Sequence, residues 1–242
     1  MDAVVLAGGF GTRLQAVVPD LPKPMAPVAG RPFLEILLTS LAQKGVRRAV
    51  LSLGYKAEVI VDHFGDCYAG MSLIHEIESQ PLGTGGALRA ALRRCDGDAA
   101  LVVNGDTFLD FEHEPLIERW RRDSKPLIVG RQVDDAARYG RILVDGERVR
   151  GFEEKGHRGA GLINMGHYVL PTSLFGAWPA QPASFSFETD FLASQAASMQ
   201  FEVFVTEGRF IDIGVPEDYR RAQTELAEVA QVSLPTEGMQ SR

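Results

Sequence analysis

Short apolar runs alternate with helical patterns through the first half of the chain, and this alternation restricts the fold more than any other feature. Strands are predicted at residues 3–7, 49–53, 71–77 and 99–103. Helices are predicted between them at residues 31–45, 56–64 and 84–94. In the first helix Leu34, Leu37, Leu38 and Leu41 recur at the spacing of one buried face. A β-α-β-α order of this kind predicts an α/β fold with a doubly wound, mainly parallel sheet.

The second half of the chain is less regular and predicts antiparallel pairing. Strands are expected at residues 126–133, 141–144, 148–153, 161–170 and 201–205, with Asp145-Gly146 as a hairpin turn. Helices are expected at residues 187–198 and from Pro216 to about Ala230. Because no linker or internal repeat interrupts the chain, we expect a single domain over residues 1–242. It comprises a mainly parallel half (about 1–110), a more antiparallel half (about 111–230) and a flexible tail (232–242).

Composition excludes several classes of protein. The chain has 25 Lys and Arg against 32 Asp and Glu, a net charge of -7, so it offers no broad basic surface for nucleic acid. Its only two cysteines, Cys67 and Cys95, form no metal or redox motif, which suits a reducing compartment. There is no basic leader and no apolar run of about 18 residues. We therefore expect a cytoplasmic protein without a membrane partner, and the sequence leaves open whether it forms a homo-oligomer.

A glycine-rich loop follows the first predicted strand and favours phosphate binding. Gly8, Gly9 and Gly11 let backbone N–H groups face an anion, and Arg13 adds a bidentate phosphate donor. Neither the dinucleotide fingerprint nor the Walker A motif is satisfied, and a plain tight turn is the alternative. Downstream, Lys23 stands between two prolines that restrict its backbone, which suits contact with a phosphate.

These residues and several later motifs resemble the sugar-1-phosphate nucleotidyltransferase family, whose members join a nucleoside triphosphate to a sugar 1-phosphate and release pyrophosphate. The matching motifs, in order, are LAGGFGTRL (6–14), PKPM (22–25), PLGTG (81–85), NGD (104–106), FEEK (152–155), N-x-G (164–166) and IDIGVPE (211–217). Within the family, residues 22–33, 51–55 and 104–108 are most similar to members that act on GTP and D-glycero-α-D-manno-heptose 1-phosphate for surface polysaccharide synthesis. The C-terminal β-helix of longer relatives is missing.

The resemblance implies a Rossmann-like, three-layer nucleotidyltransferase fold with a nucleotide-binding half (about 1–110) and a partly antiparallel, sugar-binding half (about 111–230). It implies catalytic roles for Arg13, Lys23 and Asp106. It implies nucleotide contacts from Leu6, Ala7, Gly8, Gly9, Gly11, Thr12, Arg13, Glu78, Pro81, Gly83, Thr84 and Asp106. It implies sugar-phosphate contacts from Lys23, Gly140, Glu153, Lys155, Asn164 and Asp212, with Tyr139 and Gly166 beside them.

Asp106 and Asp212 are the candidate metal ligands. Asp106 follows a buried strand, so its carboxylate should emerge at the carboxyl edge of the sheet, where α/β folds bind ligands. Mg²⁺ prefers oxygen ligands and takes one or two carboxylates together with phosphate and water. The alternatives are a cap or turn role for Asp106 and a buried, hydrogen-bonded carboxylate for Asp212. The resemblance assigns both aspartates to Mg²⁺.

Three acidic positions keep alternatives open. Glu78 suits guanine, because a carboxylate accepts hydrogen bonds from N1–H and the exocyclic amine together, although Glu76 could take this part. Glu153 is preferred to Glu154 for a sugar hydroxyl, but strand parity does not decide between them. Glu188 is similar to a family acid, or it is simply a charge at a helix N-terminus.

The expected reaction is in-line attack of the heptose 1-phosphate oxygen on the α-phosphorus of GTP. No general base is required, since the nucleophile is already anionic, and positive charge supplies most of the acceleration. One alternative keeps the reaction but uses mannose 1-phosphate with GTP, or glucose 1-phosphate with dTTP, UTP or CTP. Others are a non-catalytic subunit that binds a sugar nucleotide as a signal and a nicotinamide-dependent oxidoreductase.

Overall fold

The computed structural model describes residues 1–11, 14, 17–156, 158–176, 178 and 182–231. The predicted tail at 232–242 and two predicted site residues, Thr12 and Arg13, lie outside the described residues. The strands are β1 (Asp2–Leu6), β2 (Pro27–Val28), β3 (Arg31–Pro32), β4 (Arg48–Leu53), β5 (Cys67–Tyr68), β6 (Met71–Ile77), β7 (Ala99–Asn104), β8 (Thr107–Asp110), β9 (Leu127–Val133), β10 (Arg141–Asp145), β11 (Arg148–Glu153), β12 (Gly161–Pro171), β13 (Glu202–Val205) and β14 (Arg209–Asp212). The helices are α1 (Phe33–Gln43), α2 (Ala57–Phe64), α3 (Gly83–Leu92), α4 (His113–Asp123), a π-helix (Phe187–Leu192), α5 (Ala193–Gln195), α6 (Pro216–Glu225) and α7 (Ala227–Gln231), with a 3-10 turn at Lys23–Met25.

One sheet of ten strands, in the order β10-β11-β13-β9-β12-β7-β1-β4-β6-β5, connects the two halves of the chain. Strands β7, β1, β4 and β6 are parallel, whereas β12 runs antiparallel to both β7 and β9, and β10 pairs antiparallel with β11. The prediction of an α/β fold with a mainly parallel first half and an antiparallel second half is therefore confirmed. The junction between the halves is the pairing of β12 with β7.

Helices cover both faces of this sheet, because the central strands are apolar on both sides. The predicted leucine face of α1 is buried with α2 and α4 on one face. Helix α3 and the π-helix cover the other face. A third apolar cluster joins α6, β14, β8 and β2. The result is the three-layer arrangement implied by the resemblance.

Four predicted helix boundaries or types are wrong. The first helix begins at Phe33, because Arg31–Pro32 pairs with Pro27–Val28 as a small hairpin. The helix predicted at 187–198 is a π-helix followed by one turn of α-helix, since Ser186 accepts a hydrogen bond from the Thr189 amide and sets its start. The final helix is broken at Leu226, which is buried in the third cluster. Helix α3 covers Gly83–Leu92, so it begins one residue before the predicted start and ends two residues before the predicted end.

Helix α4 and strand β8 were not predicted. In α4 only His113, Leu116 and Trp120 are buried, and the other residues are mostly charged, so its apolar stripe is narrow. Strand β8 follows β7 after Gly105 and Asp106 alone and pairs antiparallel with β14, which lies about a hundred residues further along the chain. Because this pairing connects Thr107 with Asp212, it positions the candidate metal ligands. Within the described residues, no helix is long and apolar enough to cross a membrane.

Candidate active site

A cavity of about 430 Å³ opens at the carboxyl ends of the parallel strands. In the sheet register Leu6 at the end of β1 lies opposite both Ser52 of β4 and Asn104 of β7. These three residues form one side of the cavity, and the start of α3 forms another. The lining residues are Leu6, Ala7, Gly8, Gly9, Phe10, Lys23, Pro24, Ser52, Glu78, Pro81, Gly83, Thr84, Ala87, Asn104, Gly105, Asp106 and Ser184. Most of the nucleotide contacts predicted from the sequence therefore lie around one cavity.

Two glycines of the first loop are required by close approaches. A Cβ on Gly8 would lie 3.0 Å from Glu78 Oε1 and 3.2 Å from the backbone nitrogen of Gly54. Gly11 has a φ of +59°, and a Cβ there would lie 2.8 Å from Lys23 Cβ. The glycine loop is thus held between the Glu78 carboxylate and the Lys23 side chain.

Glu78 is half-buried at the mouth of the loop that leads into α3. Its Oε2 accepts a hydrogen bond of 3.0 Å from the backbone N–H of Leu82, and its Oε1 faces Gly8. Burial raises the pKa of the Glu78 carboxyl, and the Leu82 hydrogen bond partly opposes this rise. Glu76, the alternative acid, instead forms an ion pair with Arg94 at 3.6 Å and is not among the lining residues.

Ser52 is a polar lining residue that the sequence analysis did not identify. It is 1% exposed, and its Oγ is buried without a hydrogen-bond partner among the described residues. A buried hydroxyl without a partner loses its hydration without compensation, and Ser52 lines the cavity, so this hydroxyl is a candidate for a hydrogen bond to a ligand. A serine inside the apolar strand run Val50-Leu51-Ser52-Leu53 was the available sequence signal.

Asp106, Lys23 and Asp212 converge beside this cavity. Lys23 forms an ion pair with Asp106, and the two side chains are 10% and 35% exposed. A Cβ on Gly214 would lie 2.7 Å from Asp212 Oδ1 and 3.1 Å from Lys23 Nζ, so the ammonium lies near both carboxylates. The backbone supports this arrangement, because the Ile213 amide donates to the Asp106 carbonyl oxygen at 3.0 Å. Two acids separated widely in sequence therefore face one another.

The electrostatics of this group leave negative charge in excess. Burial raises the pKa of the Asp212 carboxyl, and the neighbouring Asp106 charge raises it further. Lys23 and the Gly214 amide, which donates to Asp212 Oδ1 at 2.6 Å, act in the opposite direction. Two carboxylates and one ammonium have a net negative charge, which a further cation would neutralise.

The donor set fits a divalent cation that takes few protein ligands. Among the described residues, no cluster of three or more His, Cys, Asp or Glu side chains could hold a metal ion by itself. Two carboxylates beside the cavity fit Mg²⁺, which completes its coordination shell with phosphate oxygens and water. The residues present would therefore hold such an ion jointly with a substrate.

Three of the predicted sugar-phosphate residues, Gly140, Glu153 and Lys155, form a second group. Gly140 has a φ of +76°, and a Cβ there would lie 2.6 Å from the Glu153 carbonyl oxygen. Glu153 pairs with Arg141 at 3.3 Å, and Lys155 lies exposed in the turn after β11. These residues are therefore neighbours.

Asn164 is built into the bulge of β12. Its amide oxygen accepts from the Gly166 N–H at 2.9 Å, and its amide nitrogen donates to the buried Tyr168 hydroxyl at 2.8 Å. Gly166 has a φ of +66°, and a Cβ there would lie 2.5 Å from Asn104 Nδ2. Asn164 therefore has a structural role close to the wall of the cavity, and its sugar contact stays a prediction.

Comparisons with known proteins agree with this geometry. Residues 2–229 match the family described as nucleotidyl transferase. D-glycero-α-D-manno-heptose 1-phosphate guanylyltransferase of Aneurinibacillus thermoaerophilus is 39% identical over 227 residues, which are 93% of this chain and 98% of that protein. The enzyme of the same name from Campylobacter jejuni is 40% identical over 220 residues, covering 90% and 97% of the two chains.

Among solved structures, HddC from Yersinia pseudotuberculosis is 42% identical, with a TM-score of 0.84 over 93% of this chain and 99% of that one. A second structure of that protein is complexed with GMP-PN. Enzymes of this kind generally use a divalent metal. The resemblance found in the sequence motifs is confirmed, and the chain belongs to the nucleotidyl transferase family.

Proposed function

We propose that this protein transfers a guanylyl group from GTP to D-glycero-α-D-manno-heptose 1-phosphate, giving GDP-heptose and pyrophosphate. The observation that carries the proposal is the junction of the glycine-lined cavity with the Lys23, Asp106 and Asp212 group, in a chain that matches heptose 1-phosphate guanylyltransferases over nearly its whole length. We place the reaction in the cytoplasm, in keeping with a biosynthetic enzyme of this family.

The polar groups of the cavity support guanine as the base. Glu78 Oε1 lies at the cavity, and a carboxylate accepts hydrogen bonds from the donors N1–H and N2–H of guanine. Ser52 Oγ can donate to or accept from the base or ribose. Gly83 has a φ of +66°, and a Cβ there would lie 2.5 Å from the Phe185 carbonyl oxygen, so glycine lets residue 185 pack against the start of α3 beside the cavity.

Charge neutralisation is the main contribution of this chain to the chemistry. The sugar phosphate is an anionic nucleophile, so orientation and compensation of the developing charge suffice for catalysis. Lys23 is held by Gly11 on its stem and by Asp106 at its ammonium, so its charge is pre-positioned. Arg13 is proposed as a second phosphate donor.

Asp106 and Asp212 are proposed to hold Mg²⁺ together with the phosphates. When bound, this ion would neutralise phosphate charge that the protein cations do not reach. Asp106, being 35% exposed, is open to solvent for this purpose, while Asp212 is more deeply placed.

The sugar is proposed to bind beside Asp212, along Gly140, Glu153, Lys155 and Asn164. Tyr139 supports this placement. Burial raises the pKa of its hydroxyl, and the Asp212 charge adds to this rise. The centroid of its ring lies 6.0 Å from that of Phe210 in β14. Lys155 would pair with the phosphate. Glu153 would accept hydrogen bonds from sugar hydroxyls, and Asn164 would accept from them or donate to them.

A substrate panel tests the proposal. Each of GTP, ATP, UTP, CTP and dTTP is combined with heptose, mannose or glucose 1-phosphate and Mg²⁺, and pyrophosphate release is measured. We expect GTP with the heptose phosphate to have the highest kcat/KM, and chelation of divalent ions to abolish turnover. A higher kcat/KM for mannose 1-phosphate would overturn the sugar assignment, and nucleotide binding without pyrophosphate release would overturn the catalytic one.

A further inference from the structure

The loop that opens α3 is tied to a distant segment at residues 182–188. The Thr84 hydroxyl donates to Glu188 Oε2 at 2.9 Å and accepts from the backbone N–H of Phe187 at 2.8 Å. Two backbone hydrogen bonds run beside it, from Gly85 to the Phe185 carbonyl at 2.9 Å and from Phe185 to the Leu82 carbonyl at 3.0 Å. The two segments are joined over about a hundred positions of sequence.

The distant segment provides a firm support. Phe187 and Phe191 are fully buried, and their rings stack with centroids 5.7 Å apart. Tyr168, also buried, meets Phe187 edge-on at 5.2 Å. An anchored π-helix whose exposed side holds Glu188 is thus placed against a cavity-lining loop, and π-helical turns are frequent at functional sites.

Glu188 is not needed for capping the helix that contains it. Ser186 Oγ accepts from the Thr189 amide at 3.1 Å, and Asp190 Oδ2 accepts from the Ser186 amide at 2.7 Å. This reciprocal pair satisfies the helix start. Glu188 Oε2 instead accepts from Thr84 at 2.9 Å, together with a longer hydrogen bond of 3.4 Å from the Ser186 hydroxyl, so a helix-terminal charge alone does not account for its position.

The hydroxyl of Thr84 is likewise engaged, because its single proton is donated to Glu188. Its neighbours Pro81 and Gly83 line the cavity, as does Ser184 on the opposing segment. We propose that the Thr84–Glu188 hydrogen bond positions the loop 81–85 for the nucleotide, so that Glu188 is a positioning residue acting through Thr84. This inference rests on the proposed function, since it assigns loop 81–85 to the nucleotide.

The experiment compares E188A, E188Q, T84V, T84S and the double variant T84V/E188A, with E114Q, an exposed acid on α4, as the matched control. KM and kcat are measured with the triphosphate that the wild type uses fastest. Failure of GTP in the wild type would therefore contradict the proposed function, whereas the loop contact would still be tested with the preferred nucleotide. Thermal melting is followed for every variant.

E188A and T84V should raise the KM for the nucleotide about 2- to 10-fold, the range of one net hydrogen bond, with kcat and the KM for sugar phosphate little changed. E188Q keeps an acceptor for the Thr84 hydroxyl, so it should be close to wild type, as should E114Q, whereas T84S keeps a hydroxyl and should raise the KM less than T84V. The nucleotide KM of the double variant should not exceed that of the more impaired single variant, because both substitutions break the same contact.

Three results would overturn the inference: an unchanged nucleotide KM in E188A, an E188Q as impaired as E188A, or additive effects in the double variant. T84V also leaves the Phe187 amide without its partner and could unfold. In that event E188A, E188Q and T84S decide the question, because each leaves an oxygen available to that amide.

Discussion

The proposed nucleotide side and the proposed sugar side of the site are built differently. On the nucleotide side, parallel strands end around an open cavity, and Ser52 presents a buried hydroxyl without a partner among the described residues. On the sugar side, Asn164 binds Gly166 and Tyr168, while Glu153 pairs with Arg141. On the first side the Ser52 hydroxyl supports no partner in the part of the chain that is described, so its substitution should change binding alone. On the second side, the same polar groups support the fold, so substitutions should change stability as well.

The largest effect is expected where the two sides meet. Asp106→Asn and Asp212→Asn should each reduce kcat by about 10²- to 10³-fold or more, because each removes a charge from the group that faces the phosphates. Pyrophosphate release measures the loss, and circular dichroism checks that the fold is retained. Wild-type turnover in either variant would contradict the assignment of both acids to one centre.

Substitution of Lys23 should have the next largest effect on kcat. Lys23→Met removes the ammonium but keeps the aliphatic stem against Gly11, and we expect kcat to fall by about 10²-fold. Lys23→Arg keeps the charge and should recover part of the loss, although its planar head differs in reach. Single-turnover kinetics would distinguish this from a loss of binding, and a K23M variant changed only in KM would remove Lys23 from the chemistry.

A paired substitution compares the two sides directly. Ser52→Ala should raise the KM for GTP about 2- to 10-fold and leave the free energy of unfolding unchanged, since no protein partner is lost. Asn164→Ala should lower the free energy of unfolding by about 1–3 kcal/mol, because Tyr168 and Gly166 lose their partners. Urea denaturation and steady-state kinetics measure both quantities. Equal stability losses in the two variants would refute the contrast.

The smallest effect on activity is expected at the junction of the two halves, where buried histidines lie near the pairing of β12 with β7. Burial lowers the pKa of His113 to about 3 and that of His167 to about 4. The unfolded chain therefore binds more protons below about pH 6.5, and the free energy of unfolding should fall as the pH is lowered from 6.5 towards 4. The slope is at most about 1.4 kcal/mol per pH unit for each histidine.

His113→Leu should reduce that slope by one histidine's share, while at pH 7.5 its effect on stability reflects packing alone. Urea denaturation at pH 7.5 and pH 5 gives both values. An unchanged difference between the two pH values would show that His113 does not contribute to the acid sensitivity.

Local sequence patterns were sufficient to predict much of the secondary structure around the cavity. The strand that precedes Gly8 and the leucine face of α1 follow from apolar spacing, and the glycines follow from what a phosphate loop requires of its backbone. Helix α4 was missed because its buried residues are few among many charges, and Ser52 because a single serine within a strand has no distinctive spacing.

The sequence by itself therefore determined the alternation of strands and helices in the first half, the buried face of α1 and the family motifs, because these depend on neighbouring residues. Only the tertiary structure decided that β14 pairs with β8 and brings Asp212 to Asp106, that Asn164 holds a bulge, and that Glu188 reaches Thr84. These contacts join segments through backbone pairing and packing of the whole molecule. Side-chain periodicity along one segment contains no information about which distant segment it will meet.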